Sequence, residues 1–392
     1  MKKLMFTALV GLIGLMSAAC EPNAGGAAPT NGDMGTLTWN LSDDGVLTVS
    51  GEGAMPDFRF DKEAVTIPWY ANRNRIESVV IEEGVESIGA FAFRACENLV
   101  SAAIPATVVR IGDYAFTGCE MLDNVALPDD LETLGAYAFY GCKEIVGVSV
   151  GDKVTSIGDA AFRNCHGMLS VSLGANLKSI GEGAFQLCSS LMEVTLPDGL
   201  ESIGPMAFAG CMAITDIVIP DGVTKIEDNV FSGCASLSEV TLHDNIESIG
   251  AKAFIECYSL REFTIPAGVE TIGEGAFELC LALAVVDIPN GVKTLGKGAF
   301  SACLELDEIV IPASVETIED ECFWNCNNLK TVTVNAAAPP ELGIFNFSAE
   351  EDILHVPSGS AFAYNTAVDK DTKAPTWSRA FKEIKEPAEE AE

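Results

Sequence analysis

The stretch Cys188–Cys211, CSSLMEVTLPDGLESIGPMAFAGC, decides the fold of this chain because it recurs along most of its length. A cysteine returns every 23 residues, and a phenylalanine stands three residues before each one. The cysteines are Cys96, Cys119, Cys142, Cys165, Cys188, Cys211, Cys234, Cys257, Cys280, Cys303 and Cys326. The phenylalanines are Phe93, Phe116, Phe139, Phe162, Phe185, Phe208, Phe231, Phe254, Phe277, Phe300 and Phe323. A period held so strictly predicts one structural unit stacked on copies of itself.

Each copy carries the pattern of a short strand followed by a turn. Val194 and Leu196 are apolar and alternate with polar neighbours, which is the period of a half-buried strand. Pro197–Gly199 then reads Pro-Asp-Gly, a strong turn signal, since proline presets one dihedral and glycine supplies a permissive one. The closing Ala-Phe-x-x-Cys segment suits a short helical turn that brings phenylalanine and cysteine onto one face. Stacking would bury both side chains, which a single unit cannot do alone.

This pattern resembles the BspA-like class of leucine-rich repeats, found in surface proteins of anaerobic bacteria. The resemblance covers residues 76–335, about eleven repeats. It implies an α/β repeat solenoid, a right-handed coil of leucine-rich-repeat type, capped at both ends. Each 23-residue repeat would contribute one short strand and one short helical turn. It also implies adhesion to host or neighbouring-cell proteins.

The remaining segments are assigned from their composition. Residues 1–20 predict an export signal, with a charged start, an apolar stretch and the ending Ser17–Cys20. That ending resembles a bacterial lipobox, in which Cys20 would be lipidated, although a simple secretion site also fits. The other predicted parts are a flexible tether (21–35), an N-terminal β cap (36–75), a C-terminal cap (336–385) and an acidic tail (386–392).

The predicted location follows from the lipobox. The protein is expected in the bacterial cell envelope, lipid-anchored, in the outer membrane and exposed at the surface. The lipid anchor would be its only contact with the membrane, because no other stretch is long and apolar enough to span a bilayer. The tryptophans are interpreted as cap or end-packing residues; they are Trp39, Trp69, Trp324 and Trp377.

The strong acidic excess bears on the choice of partner. The chain carries 57 acidic against 23 basic side chains, a formal net charge of −34. Phosphate binding needs clustered lysine and arginine, so a nucleic acid is not expected as a partner. Acids also recur at outward strand positions, five residues after the cysteine: Glu193, Asp216, Glu239, Glu262 and Glu308. This stripe either meets a cationic partner or calcium, or is a solvated face that keeps the protein soluble.

A second candidate stripe lies one position earlier and is apolar. It consists of Val100, Val146, Leu169 and Met192. If these side chains are exposed together, they mark a protein contact. The alternative is that they lean into the core beside the leucine positions.

The sequence offers no arrangement of catalytic residues. His166, His243 and His355 occupy different template positions, and no Cys-x-x-Cys pair provides a zinc signature. The regular cysteines are interpreted as a buried ladder of free thiols, with disulfide or metal roles as alternatives. No cofactor and no enzymatic activity are therefore expected.

The favoured function is a cell-surface lipoprotein that binds other proteins through its long face. One alternative is a glycan-binding accessory protein of a surface uptake system. That alternative predicts clustered exposed aromatics, yet Tyr258 and Phe263 are isolated on the strands. A further alternative is a hydrolase with its site in the cap region 36–75 or 336–385.

Overall fold

The computed structural model describes residues 28–347, 353–368 and 376–387. The predicted export signal, with Cys20, lies outside the described residues. Within the described part, the chain forms the predicted solenoid, which confirms the interpretation of the 23-residue period.

Each coil contributes two short strands, which pair in parallel with those of a neighbouring coil. The first strands of the coils form one row, here called the front row. An N-terminal antiparallel hairpin precedes this row in the chain. The front row and this hairpin comprise Asn31–Met34, Leu37–Leu41, Val46–Gly51, Ser78–Ile81, Ser101–Ala103, Asn124–Val125, Gly147–Ser149, Ser170–Ser172, Glu193–Val194, Asp216–Val218, Glu239–Thr241, Glu262–Thr264, Val285–Asp287, Glu308–Ile311, Thr331–Val334, Ile353–His355 and Glu383–Lys385. The second strand of each coil belongs to the side row. The side row comprises Gly53–Ala54, Val85–Ile88, Arg110–Ile111, Thr133–Leu134, Ser156–Ile157, Ser179–Ile180, Ser202–Ile203, Lys225–Ile226, Ser248–Ile249, Thr271–Ile272, Thr294–Leu295, Thr317–Ile318 and Glu341–Leu342. The front-row pairing is interrupted after Val125, Val194, Thr241 and Asp287, and the side-row pairing after Ile203.

The Ala-Phe-x-x-Cys segment differs from the predicted helical turn and forms a chain of tight turns. Met206 and Gly210 flank Phe208 with left-handed φ angles of 57° and 75°, which interrupt a helix. The N–H groups of these three residues donate to carbonyls of the next coil, at 2.7–3.0 Å. The N–H groups of Ala207 and Ala209 close turns within the coil. Because alternate donors bond to the next coil, this turn ladder is a third line of contact between coils.

Phenylalanine and cysteine form the two internal columns that the period predicts. Consecutive phenylalanine rings stack from Phe93 to Phe347 with centroids 5.0–5.8 Å apart. Trp69 stacks on the first ring, and Phe381 contacts the last. Burying one such ring is worth about 1.5–3 kcal/mol, so the column is a main source of stability.

The cysteines of the column are buried as free thiols and also bond the coils together. The Cys211 thiol donates to the carbonyl of Phe185, in the preceding coil, at 3.2 Å. The same bond recurs from Cys119 to Cys326 at 3.1–3.4 Å. The thiol is therefore a weak donor to a buried carbonyl as well as a small apolar residue. The sequence predicts the burial but not this bond.

Close packing between coils explains the glycine that follows most side-row strands. A Cβ on Gly204 would lie 2.7 Å from the backbone nitrogen of Glu182 in the preceding coil. Glu227 replaces this glycine in the next coil, and there the side-row pairing is interrupted. Glu319 makes the same replacement yet keeps its backbone bond to Leu295 at 2.9 Å.

The N-terminal cap is the predicted hairpin, with one extra strand. Leu37–Leu41 pairs antiparallel with Val46–Gly51, which pairs in turn with Ser78–Ile81 of the first coil. The predicted tether 21–35 is wrong at its C-terminal end, because Asn31–Met34 pairs antiparallel with Leu37–Leu41. The edge of the hairpin thus gains a hydrogen-bonded partner strand.

The solenoid extends beyond the predicted boundary at residue 335. Glu341–Leu342 pairs with Thr317–Ile318, and the Phe347 ring stacks on Phe323 at 5.3 Å. The register places Thr317 opposite Glu341, 24 residues later rather than 23. One inserted residue therefore ends the sequence period without ending the stack of coils.

The C-terminal cap closes over the last coil with buried aromatic residues. It contains two short α-helices, Ala361–Thr366 and Trp377–Ala380. The N-terminal cap, by contrast, contains a 3₁₀ helix, Tyr70–Arg75. The indole nitrogen of Trp377 donates to the carbonyl of Pro340 at 3.0 Å. Glu386, the first residue of the predicted tail, accepts the N–H of Ala361, which ties that residue to the cap. No helix in the described ranges is long and apolar enough to cross a membrane.

Candidate binding face

The outward side of the front row, here called the front face, carries the predicted acidic stripe. Its five acids are all exposed. Asp216 and Glu239 lie directly opposite each other on paired parallel strands, which are about 4.8 Å apart. Glu193 faces Ser170, and Glu262 faces the exposed Val285. Glu308 faces Thr331. The structure thus brings one pair of acids into register and separates Glu308 from the rest.

These acids have no cationic partner within the described residues. Basic side chains elsewhere form ion pairs between successive coils, such as Lys178 with Glu201 at 3.0 Å and Lys293 with Glu316 at 3.5 Å. None of the described ion pairs includes an acid of the stripe. The acids of the stripe are therefore unpaired, although exposed Arg261 and Lys330 stand on the same face, whereas some acids of the side row are paired with lysines.

The side chains of the apolar stripe are exposed and do not lean into the core. The exposed fractions are 38% for Val100, 52% for Val146, 41% for Leu169 and 51% for Met192. The Leu169 N–H donates to Val146 and the Met192 N–H to Leu169, so these three lie on successive, bonded coils. They form the apolar patch of the front face. Asp123 occupies the equivalent position between Val100 and Val146, so Val100 stands apart.

The apolar patch adjoins the acidic stripe. Met192 immediately precedes Glu193 in the chain. An open cleft of about 790 Å³ lies beside them, and its lining includes Ser170, Glu193 and Asp198. A partner that presents apolar groups next to cationic ones would be complementary to this part of the front face.

The histidines and cysteines do not form a reactive centre. His243 makes a hydrogen bond through its ring Nε2 with the carbonyl oxygen of Pro220 at 2.9 Å, and the other two histidines lie on different coils or in the cap. Among the described residues, no three His, Cys, Asp or Glu side chains are grouped so as to hold a metal ion. Burial raises the pKa of the ten column thiols from Cys96 to Cys303, to about 12 for Cys188, which keeps these thiols protonated and unreactive.

One tryptophan contradicts its interpretation as an end-packing residue. Trp39, Trp69 and Trp377 are buried in the caps, but Trp324 is 54% exposed. It follows the column residue Phe323, so it lies on the turn ladder rather than inside a cap. Its position in the repeat, directly after a column phenylalanine, was the sequence signal that could have predicted its exposure. The front face itself has no aromatic cluster, since Phe263 is buried.

The stacked coils and the outward strand row define a leucine-rich-repeat solenoid. A family model described as a BspA type leucine rich repeat region matches residues 63–188, 155–284 and 247–349. These segments cover most of the chain, and the protein belongs to this family.

Solved structures of bacterial repeat proteins share the fold. A leucine-rich repeat protein from Bacteroides ovatus is 23% identical, with a TM-score of 0.63, and the match covers 90% of this chain and 99% of that one. A leucine rich cell surface protein from Faecalibacterium prausnitzii is 26% identical, with a TM-score of 0.50, covering 79% of this chain and 95% of that one. No curated protein gave a significant match.

Proposed function

We propose that this protein is a non-enzymatic binding module of the bacterial cell surface that contacts a protein partner through its front face. The observation that carries the proposal is the acidic stripe, unpaired within the described residues, beside the exposed apolar patch. Host or neighbouring-cell surface proteins with basic and apolar groups fit this chemistry. Affinity would come from many modest contacts spread over several coils, as is usual for solenoids.

The likeness to the Faecalibacterium cell surface protein supports the proposed location. The lipobox-like ending Ser17–Cys20 supports anchoring through a lipid on Cys20, with the outer membrane as the site. Replacing Cys20 with alanine in the full-length protein is expected to move it from the membrane fraction to the soluble fraction and to abolish incorporation of a labelled fatty acid. Unchanged labelling in that variant would refute lipidation at this cysteine.

Neutralising the acidic stripe tests the binding role of the front face. The variant carries Glu193→Gln, Asp216→Asn, Glu239→Gln and Glu262→Gln. We expect its affinity for a captured protein partner to fall about tenfold or more, because complementary charges speed association and stabilise the complex. The measurement is biosensor binding of the mature protein to immobilised extracellular matrix proteins, at low and high salt.

A matched variant controls for the change in net charge. Glu86, Glu132, Glu247 and Glu270 are exposed acids of the side row, and their replacement by glutamine also removes four charges. This control is expected to bind like the wild type. Equal losses in both variants, or none in the front-face variant, would show that the acidic stripe only solvates the protein.

A further inference from the structure

A neutral aromatic cleft lies on the turn ladder at the C-terminal end of the solenoid, away from the front face. It has a volume of about 290 Å³, and its lining includes Trp324, Asn325, Asn327, Phe345 and Asn346. None of its lining residues is charged, although the chain carries 57 acids. Because the lining is neutral, the cleft fits an uncharged ligand. Binding of such a ligand would not depend on attraction to the acidic surface.

Two aromatic rings at this cleft are exposed and have no aromatic partner among the described residues. Trp324 is 54% exposed and Phe345 is 67% exposed. By contrast, partly exposed aromatics on the N-terminal coils stack on one another, as Tyr114 does with Phe91 at 4.9 Å and with Tyr137 at 4.7 Å. Trp324 and Phe345 thus remain free to stack with a ligand, which makes the cleft a candidate binding site.

Amide groups supply the polar side of the cleft. Asn346 is buried, and its side chain donates to the carbonyls of Glu319 and Gly343 at 2.9 and 3.0 Å, so it fixes the wall of the cleft. At the exposed rim, the Asn327 side-chain N–H donates to the Asn325 side-chain oxygen at 3.2 Å. That leaves both amide N–H donors of Asn325, and one N–H donor and the amide oxygen of Asn327, without a side-chain hydrogen bond within the described chain.

We propose that this cleft binds one pyranose unit of a neutral glycan. A pyranose has a face of C–H groups that packs on an aromatic ring, and a rim of hydroxyls that both donate and accept hydrogen bonds. The rings of Trp324 and Phe345 match the first feature, and the amides of Asn325 and Asn327 match the second. A purely apolar peptide segment would leave the rim amides unpaired, at a cost in free energy.

The size of the cleft fits a single sugar unit. Pockets for small ligands usually enclose about 300–1,000 Å³, and this cleft is at the lower limit of that range. A longer glycan would continue into solvent from the bound unit. The site is on a different side of the solenoid from the front face, so the two proposals stand or fall separately.

Fluorescence quenching tests the site directly. Trp324 is the exposed tryptophan among four, the other three being at most 4% exposed, so acrylamide should quench mainly its emission. The probes are neutral oligosaccharides of glucose, galactose, mannose, xylose and N-acetylglucosamine. At least one is expected to protect Trp324 from acrylamide in a saturable way, with matching heats in calorimetry.

Variants then assign the binding to the cleft. Trp324→Ala is expected to weaken binding at least about tenfold, as truncating a central tryptophan contact usually does. Trp324→Phe should retain much of the affinity, and Phe345→Ala should weaken it several-fold. Tyr258→Ala, at an exposed position on another coil, should bind like the wild type.

Three results would overturn the proposal. The first is that none of the five glycan series protects Trp324 or releases heat. The second is that Trp324→Ala binds the sugar as tightly as the wild type while thermal unfolding shows both proteins folded. Protection by an apolar peptide but by no sugar would assign the cleft to a protein ligand and would also refute it.

Discussion

Raising the pH above about 9 is expected to unfold this protein steeply, because the folded core holds thiols in their protonated form. Burial raises the pKa of eleven thiols, to about 12 for Cys96, Cys188 and Cys234. The others move in the same direction. In the unfolded chain a thiol ionises near its usual pKa of about 8.5.

The sign of the effect follows from proton binding. Below the unfolded-state pKa, both states hold the proton and the thiols leave stability unchanged with pH. Above it, the unfolded state releases protons that the folded state keeps, so unfolding becomes more favourable as the pH rises. Each thiol contributes about 1.4 kcal/mol per pH unit, so eleven contribute on the order of 15 kcal/mol for each pH unit above the unfolded-state pKa. That exceeds or equals the total stability of most domains, about 5–15 kcal/mol.

Denaturant unfolding at a series of pH values under reducing conditions measures this slope. Replacing Cys211 and Cys234 with alanine removes two titrating groups, so the slope should fall by about 1.4 kcal/mol per pH unit for each. A free energy of unfolding that stays flat from about pH 8 to 10 would contradict the buried-thiol account, because this is the range where free thiols ionise.

Replacing Phe277 with alanine is expected to destabilise the protein by about 3–5 kcal/mol, as large-to-small changes of buried phenylalanine do. Its ring stacks on Phe254 at 5.4 Å and on Phe300 at 5.3 Å, and it meets Phe263 edge-on at 4.7 Å. Losing it leaves a cavity between coils that the backbone bonds on three sides prevent from closing. Chemical denaturation gives the free energy, and hydrogen exchange should show lost protection in the coils on both sides.

Phe362 provides the matched control, since the same substitution removes the same atoms from an exposed site. Its side chain is 79% exposed on the helix Ala361–Thr366. Phe362→Ala should change the free energy of unfolding by no more than about 0.5 kcal/mol. Similar losses at both positions would mean that the phenylalanine column is not the main internal contact between coils.

The repeat period was sufficient to predict the two columns and the outward strand row. Phe and Cys recur at fixed spacing, and only stacking buries them all, so their location follows from the pattern alone. The hairpin Leu37–Leu41 with Val46–Gly51 was also predictable, because a turn sequence separates two alternating segments. Exposure of Val146 and Met192 was left open, since a position next to a leucine can face either way.

Three of the departures from the sequence prediction have clear physical reasons. The Ala-Phe-x-x-Cys segment was predicted as a helical turn, but its alternate N–H groups bond to the next coil. The last coil was missed because one inserted residue before Glu341 ends the period, while strand pairing tolerates the insertion. Trp324 was assigned to end packing from its residue type, although its position in the repeat leaves it exposed.

By itself, the sequence determined that the coils stack and which side chains fill their interior, because stacking is the simple way to bury a periodic apolar pattern. Only the tertiary structure decided which acids stand unpaired, which apolar residues form a continuous patch and that Trp324 and Phe345 line one cleft. Those relations join residues about one coil or more apart in the chain, and they depend on side-chain direction and on ion pairs between coils. The repeat pattern determines the core of this solenoid, whereas residues that differ from coil to coil determine the properties of its surface.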